Sequence, residues 1–156
     1  MEETVTAQTY PRAASRTESR ELHGVQHTDL IGLKVLVLED DPLFAMVLEG
    51  MLQDLGCEIH GPFSEIDDAA AMVRANRDHI DIAILDINIH GDMSYGLAAQ
   101  LANLDIPFFF CTGYEKSKID PRWRNWSNIG KFFTEAGLAT MLHNQLKTHR
   151  MAEIRR

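Results

Sequence analysis

Lys34-Val35-Leu36-Val37-Leu38 is an almost unbroken apolar run, and Asp41-Pro42 follows it closely. A strand that is apolar on both sides of its pleat must be buried on both faces, and a sheet covered by helices on each side provides that. Asp is a favoured helix N-cap and Pro a favoured first residue, so a helix is expected from 42. Leu43, Phe44, Val47, Leu48, Met51 and Leu52 form its expected apolar stripe, and Gly56 ends it. The same alternation then repeats. A weaker strand is expected over 57–63. Ser64 is expected to cap a helix in a capping box with Asp67, with Ile66, Ala69, Ala70 and Val73 facing inward. Residues 80–87 read as a third strand, followed by a turn at Gly91 and a helix carrying Leu97, Ala98, Leu101 and Ala102. Residues 107–111 read as a fourth strand and 128–132 as a short fifth. Thr134 caps a last helix with Leu138, Met141, Leu142 and Leu146 inside, running to about Arg150. Between the last two strands, 113–126 holds Gly113, Pro121, Trp123 and Trp126 and reads poorly as a helix.

Five strand–helix units with apolar strands imply an α/β fold: a doubly wound, five-stranded parallel sheet of the flavodoxin-like kind, order 2-1-3-4-5. The chain of 156 residues suffices for one domain. Residues 1–30 are rich in Thr, Ser, Arg, Glu and His without an apolar period, and are expected to form a flexible tail. The domain is expected over 31–151, with 152–156 as a short C-terminal tail. Fifteen basic against 23 acidic residues, a net charge of −8, speaks against direct DNA binding and for a cation site or a basic partner. The longest apolar run, near 106–111, is far too short for a membrane span, and no signal sequence opens the chain. Cys57 and Cys111 lie far apart in apolar surroundings, unlike a metal knuckle, and fit reduced thiols of a cytoplasmic protein.

In sheets of this kind the binding site lies beyond the carboxyl ends of the strands. That rule gathers Glu39-Asp40-Asp41, Asp86, Thr112-Gly113 and Lys131 into one crevice. Asp41 is absorbed by capping. Each of the others has an ordinary alternative, as a turn former or a solvated side chain. Together they suggest more. Crowded carboxylates need a cation or a proton, and hard oxygen ligands suit Mg²⁺ or Mn²⁺. With a metal bound, Asp86 becomes a plausible nucleophile towards phosphorus. Lys131 would neutralise a transferring phosphoryl group and Thr112 would hydrogen-bond it.

These residues resemble the receiver domain of bacterial two-component response regulators over about 33–150. The likeness rests on Val35-Leu36-Val37-Leu38-Glu39-Asp40-Asp41-Pro42, Leu85-Asp86-Ile87-Asn88-Ile89, Thr112 and Lys131. It implies Asp86 as phospho-acceptor, Asp40 as a direct metal carboxylate, Glu39 acting mainly through water, and the Asn88 backbone carbonyl as a further metal ligand. Thr112 and Lys131 would bind the phosphoryl group. A narrower resemblance is to the stand-alone "FAT GUY" receivers with the motif PFxFATGY. Here the segment reads Pro107-Phe108-Phe109-Phe110-Cys111-Thr112-Gly113-Tyr114, with Cys111 where that motif has Ala. Asn128 stands three before Lys131, where other receivers carry a switch aromatic. Receivers also usually have Pro after the lysine, often with a cis peptide; here Phe132 follows, which leaves the Lys131–Phe132 bond open between cis and trans.

The function implied is a single-domain response regulator. It would accept a phosphoryl group from a sensor histidine kinase or phosphotransfer protein and signal through a downstream protein, catalysing only its own phosphorylation and dephosphorylation. Residues 113–126, with Tyr114, Trp123 and Trp126, are the expected switch region. Two other readings are a degenerate receiver serving as a binding module and a haloacid-dehalogenase-like phosphatase. Chain order opposes the phosphatase, whose nucleophile lies on the first strand. None of the seven histidines has metal-motif spacing, and His90 reads as a loop histidine.

Overall fold

The computed structural model describes residues 27–155. The expected tail over 1–26 lies outside the described residues. Residues 27–30 form a single 3-10 turn, and Leu30 is fully buried beside Val35, Leu52 and Cys57. The packed region thus reaches into the expected tail, because Leu30 fills the space beneath the end of the first helix.

Strands β1 (Lys34–Leu38), β2 (Glu58–Phe63), β3 (Ile82–Leu85), β6 (Phe108–Cys111) and β7 (Asn128–Ile129) form one five-stranded sheet in the order β2-β1-β3-β6-β7. All its pairings are parallel. Counting only these strands, the order is the expected 2-1-3-4-5. Two short strands, β4 (Asn88–Ile89) and β5 (Asp92–Met93), form a separate antiparallel ladder where only a turn at Gly91 was expected. His90 and Gly91 both take positive φ between them, which closes the hairpin.

Helices α1 (Pro42–Asp54) and α4 (Glu135–Ile154) cover one face of the sheet; α2 (Ile66–Ala75) and α3 (Tyr95–Asn103) cover the other. The pleat explains the division. Val35 and Val37 face α1 and α4, while Leu36 and Leu38 face α2 and α3. The described residues hold four α-helices and not five. The crossover from β6 to β7 carries only a 3-10 turn at Lys116–Lys118, in keeping with its poor helical pattern. It covers the α3 face nonetheless: Ile119 is buried, and Trp123 stacks on Tyr95 and meets Phe110 edge-on.

Three local expectations are corrected. The stripe of α1 is Ala45, Leu48 and Leu52, with Phe44 and Met51 partly buried against the same core as expected; Leu43 is 71% and Val47 48% exposed. The cap position of α2 is Glu65, and no side chain bonds the free amides, so the Ser64–Asp67 capping box does not form. The last helix continues past Arg150 to Ile154. Asp41 and Thr134 cap α1 and α4 as expected, and Gly56 takes the positive φ that ends α1. Cys57 and Cys111 are free and buried; burial pushes their thiols up to about 11 and about 12. No helix among the described residues is long and apolar enough to cross a membrane.

Candidate functional site

The register of three strands assembles the site. Leu38 pairs with Leu85, and the Asp86 amide donates to the Leu38 carbonyl at 2.9 Å, so Glu39 and Asp86 leave the sheet side by side. Cys111 pairs with Ile129, and the Thr112 amide donates to the Ile129 carbonyl, which brings the loop after β7 to the same edge. From that loop Lys131 reaches across β6. Its Nζ donates to Asp86 Oδ2 at 2.9 Å and to Glu39 Oε1 at 2.9 Å, with Oε2 at 2.8 Å.

Glu39 and Asp86 are 3% and 6% exposed, so the ammonium serves two carboxylates with almost no solvent around them. Burial pushes the Glu39 carboxyl up, and hydrogen bonds from Lys131 and the Asp41 amide only partly offset this. Burial alone would lower the Lys131 ammonium, but its bonds to Asp86 and Glu39 reverse that and leave it raised. Each carboxylate is held from a second side. Asp86 Oδ1 accepts from the Ile87 amide at 2.7 Å, and Glu39 Oε1 from the Asp41 amide at 2.9 Å. Asp40 Oδ2 accepts from the His90 amide at 2.9 Å.

Glu39, Asp40 and Asp86 each offer an oxygen within 4.8 Å of the others. Three hard anionic oxygens at the mouth of a crevice, against one ammonium, fit a small divalent cation. Thr112 is buried at the end of β6, and its Oγ1 accepts from the Tyr114 amide at 3.2 Å. The Tyr114 hydroxyl accepts from the Asn88 side chain at 2.7 Å, while Asn88 Oδ1 accepts from the Gly91 amide. Asn88 and Tyr114 therefore tie the hairpin after Asp86 to the segment after Thr112. Trp123 and Trp126 do not reach the carboxylates; within the crossover Trp126 stacks on Phe108, Trp123 lies tilted against it, and Trp126 Nε1 donates to the Phe108 carbonyl.

Two residues outside the expected set, His90 and Ser94, belong here. His90 lies against the site: its Nδ1 is 3.4 Å from Asp40 Oδ2 and its Nε2 3.4 Å from Glu65 Oε1. Its place four residues after Asp86 is the signal the sequence carries. Ser94, at the start of α3, donates to the Asp86 carbonyl at 2.6 Å instead of capping its helix. Nothing in its local sequence separates that role from capping. The Lys131–Phe132 bond is trans, the only cis peptide among the described residues being Gly61–Pro62.

No protein-family model matches the chain. SdrG from Sphingomonas melonis Fr1 is 37% identical, with a TM-score of 0.63 over 74% of this chain and 97% of SdrG. A BeF3-activated conformation of SdrG matches with a TM-score of 0.62, 37% identity, and coverage of 72% of this chain and 95% of that one. A response regulator receiver domain protein from Clostridium thermocellum has a TM-score of 0.65 at 15% identity, over 77% of this chain and 98% of that one, a likeness of fold. Among curated proteins, the two-component response regulator-like APRR4 of Arabidopsis thaliana is 27% identical over 93 residues, 59% of this chain. The match spans about a third of that protein, 32% of its length.

Proposed function

We propose that this chain, which belongs to the response-regulator receiver family, takes up a phosphoryl group on Asp86 and acts as a phosphorylation-driven switch. The observation that carries the reading is the meeting of Asp86 with Glu39, Asp40 and Lys131 at one edge of the sheet. A carboxylate oxygen of Asp86 attacks the phosphorus of a phosphohistidine on a kinase or phosphotransfer protein. The P–N bond breaks, the imidazole leaves with a proton from solvent, and an aspartyl phosphate remains. Lys131 passes from Asp86 Oδ2 to a phosphoryl oxygen, and the Thr112 hydroxyl turns its proton to another. Glu39, Asp40, Asp86 and the Asn88 carbonyl would hold Mg²⁺ or Mn²⁺, which when bound supplies positive charge against the carboxylates and the phosphoryl oxygens. Hydrolysis of this acyl phosphate, or its return to a donor, is the only chemistry required.

The segment after Thr112 carries the signal to a downstream protein. The aspartyl phosphate carries roughly −1.5 to −2 charges beside Thr112, in place of the single charge of the carboxylate. Drawing Thr112 towards them pulls on the Tyr114 amide and, through Tyr114, on Asn88. The likeness of 107–114 to PFxFATGY, with Asn128 in place of a switch aromatic, supports this local route. That SdrG has been solved in a BeF3-activated form supports an acceptor carboxylate in a close relative.

The test is intact mass after incubation with phosphoramidate and Mg²⁺. The wild type is expected to gain about 80 Da, labile to hydroxylamine, and Asp86→Asn to gain nothing. The same gain in both proteins would place the acceptor elsewhere. Metal binding has its own readout. Mg²⁺ at tenfold excess over its dissociation constant should stabilise the fold by about 1.4 kcal/mol. Asp40→Ala should lose that response, and equal melting shifts in the two proteins would exclude Asp40 as a ligand.

A further inference from the structure

Lys131 is held from below by a ring. Its Nζ lies 4.9 Å from the centroid of Phe44, close enough for the ring's negative face to attract the ammonium. Phe133 meets Phe44 edge-on, with centroids 6.0 Å apart at 90°. The loop carrying Lys131 is thus pinned to α1 by the residue two positions on. Phe132, between them, is fully exposed and follows Lys131 in a trans bond, so it contributes nothing to the direction of the ammonium.

Phe44 is also built into the frame of the site. It lies in the first turn of α1, and its amide donates to Asp41 Oδ1 at 3.3 Å. The Asp41 amide in turn donates to Glu39 Oε1, an oxygen that Lys131 also bonds. The ring and the carboxylate therefore share one rigid cap. With the carboxylates of Glu39 and Asp86 on one side and the ring on another, the ammonium cannot swing outward without losing all three.

We propose that Phe44 is the positioning residue for Lys131: its ring face, braced by Phe133, aims the ammonium at the acceptor oxygen of Asp86. The proposal rests on Asp86 as phospho-acceptor only for its kinetic arm. The geometry has consequences without any phosphoryl donor. An ammonium over a ring face leaves its ε-methylene protons in the shielding region of the ring. Leu at position 44 keeps much of the packing and removes the shielding and the attraction; Tyr keeps both.

The experiment uses the full chain as wild type, Phe44→Leu, Phe44→Tyr, Lys131→Met and the Phe44→Leu/Lys131→Met pair. In metal-free carbon–proton spectra the Lys131 ε-methylene signal should lie upfield in the wild type and Phe44→Tyr, and return towards the free-lysine position in Phe44→Leu. Phosphoryl uptake from phosphoramidate at saturating Mg²⁺ should slow about fivefold in Phe44→Leu, stay within about twofold in Phe44→Tyr, and show no further loss when Phe44→Leu is added to Lys131→Met. An unshifted Lys131 signal in Phe44→Leu overturns the proposal. So does an equal fivefold loss with and without Lys131, because Phe44 would then act through something else. If the wild type takes up no phosphoryl group, the Asp86 reading falls, and the spectra still decide the role of Phe44.

Discussion

Lys131→Met is expected to lower stability in metal-free buffer at pH 7 by about 3 kcal/mol, roughly 10 °C in melting temperature for a domain of this size. Lys131 is the ammonium bonded to both Glu39 and Asp86, and both are almost wholly buried. Taking away one member of a buried ionic cluster leaves the remaining charges uncompensated, which exceeds the net worth of the cluster itself. The sign of the pH dependence follows from Glu39. Its folded value is already raised above the ordinary 4.5 by burial, so its contribution is fully present below 4.5 and is lost as pH rises through the raised value. Without Lys131 the Glu39 value rises further. The deficit of the variant should therefore be greatest at neutral pH and shrink on acidification towards 4.5, as a proton takes the place of the ammonium. In the wild type the ammonium's own contribution holds below its ordinary 10.5 and is lost only as pH rises through its raised folded value. Mg²⁺ should recover part of the loss, because a cation among Glu39, Asp40 and Asp86 relieves the same repulsion. Denaturant titrations at pH 5 and 7, with and without Mg²⁺, measure all four conditions. A deficit independent of both pH and metal would mean that Lys131 matters only through its methylene packing.

The parts of the fold that were legible are those where one physical rule acted alone. The near-continuous apolar runs at 34–38 and 107–111 left no choice but strands buried on two faces, and both lie inside the parallel sheet. Once the sheet was parallel, the strand-end rule collected Glu39, Asp40, Asp86, Thr112 and Lys131, and the structure brings the four charged groups together. The misreadings fall where two rules competed. Helix α1 has apolar residues at both 43/47 and 48/52, and helical spacing alone does not say which pair faces the sheet. The pair with Ala45 beside it packs closely, and Leu43 and Val47 are left outside. Ser64 was a good cap by type, but the chain turns one residue later, at Glu65. Ser94 drew no expectation at all: its hydroxyl finds the Asp86 carbonyl at 2.6 Å, which only the tertiary path of the 87–93 hairpin brings near. Phe44 packs against the core as its helical spacing predicts, but its partnership with Lys131, 87 positions on, has no local signature.

The second large effect concerns the crossover that is not a helix. An α-helix would satisfy its own backbone and present one apolar stripe to the sheet. Residues 113–127 have neither advantage and are held by rings. Phe108 stacks on Trp126 at 5.0 Å, meets Trp123 at 6.0 Å and Phe110 at 5.7 Å. Hydrogen bonds to and within the segment include the Asp120 amide to the Tyr95 hydroxyl, Arg124 to the Ser117 and Ile119 carbonyls, Trp126 Nε1 to the Phe108 carbonyl, the Asn88 side chain to the Tyr114 hydroxyl and the Phe110 amide to the Ser127 carbonyl. Phe108→Ala should therefore lower stability by about 4 kcal/mol, with the damage concentrated in this segment. Amide exchange over 113–127 should accelerate far more than exchange in β1 or β3. Phe108→Leu, which keeps most of the volume, should show the same ranking with a smaller loss if the alanine variant is too unstable to study. Trp123 and Trp126 are the only tryptophans, so their emission reports on this segment alone. If the segment transmits the state of Asp86, Mg²⁺ with beryllofluoride should change that emission in the wild type. The change should be much reduced in Phe108→Leu, where Asp86 is intact but the rings no longer hold the segment in one arrangement. An unchanged response in Phe108→Leu, alongside accelerated exchange, would mean that the signal leaves Asp86 by another path, with the β4–β5 hairpin, tied to Asp40 through His90, as the remaining route.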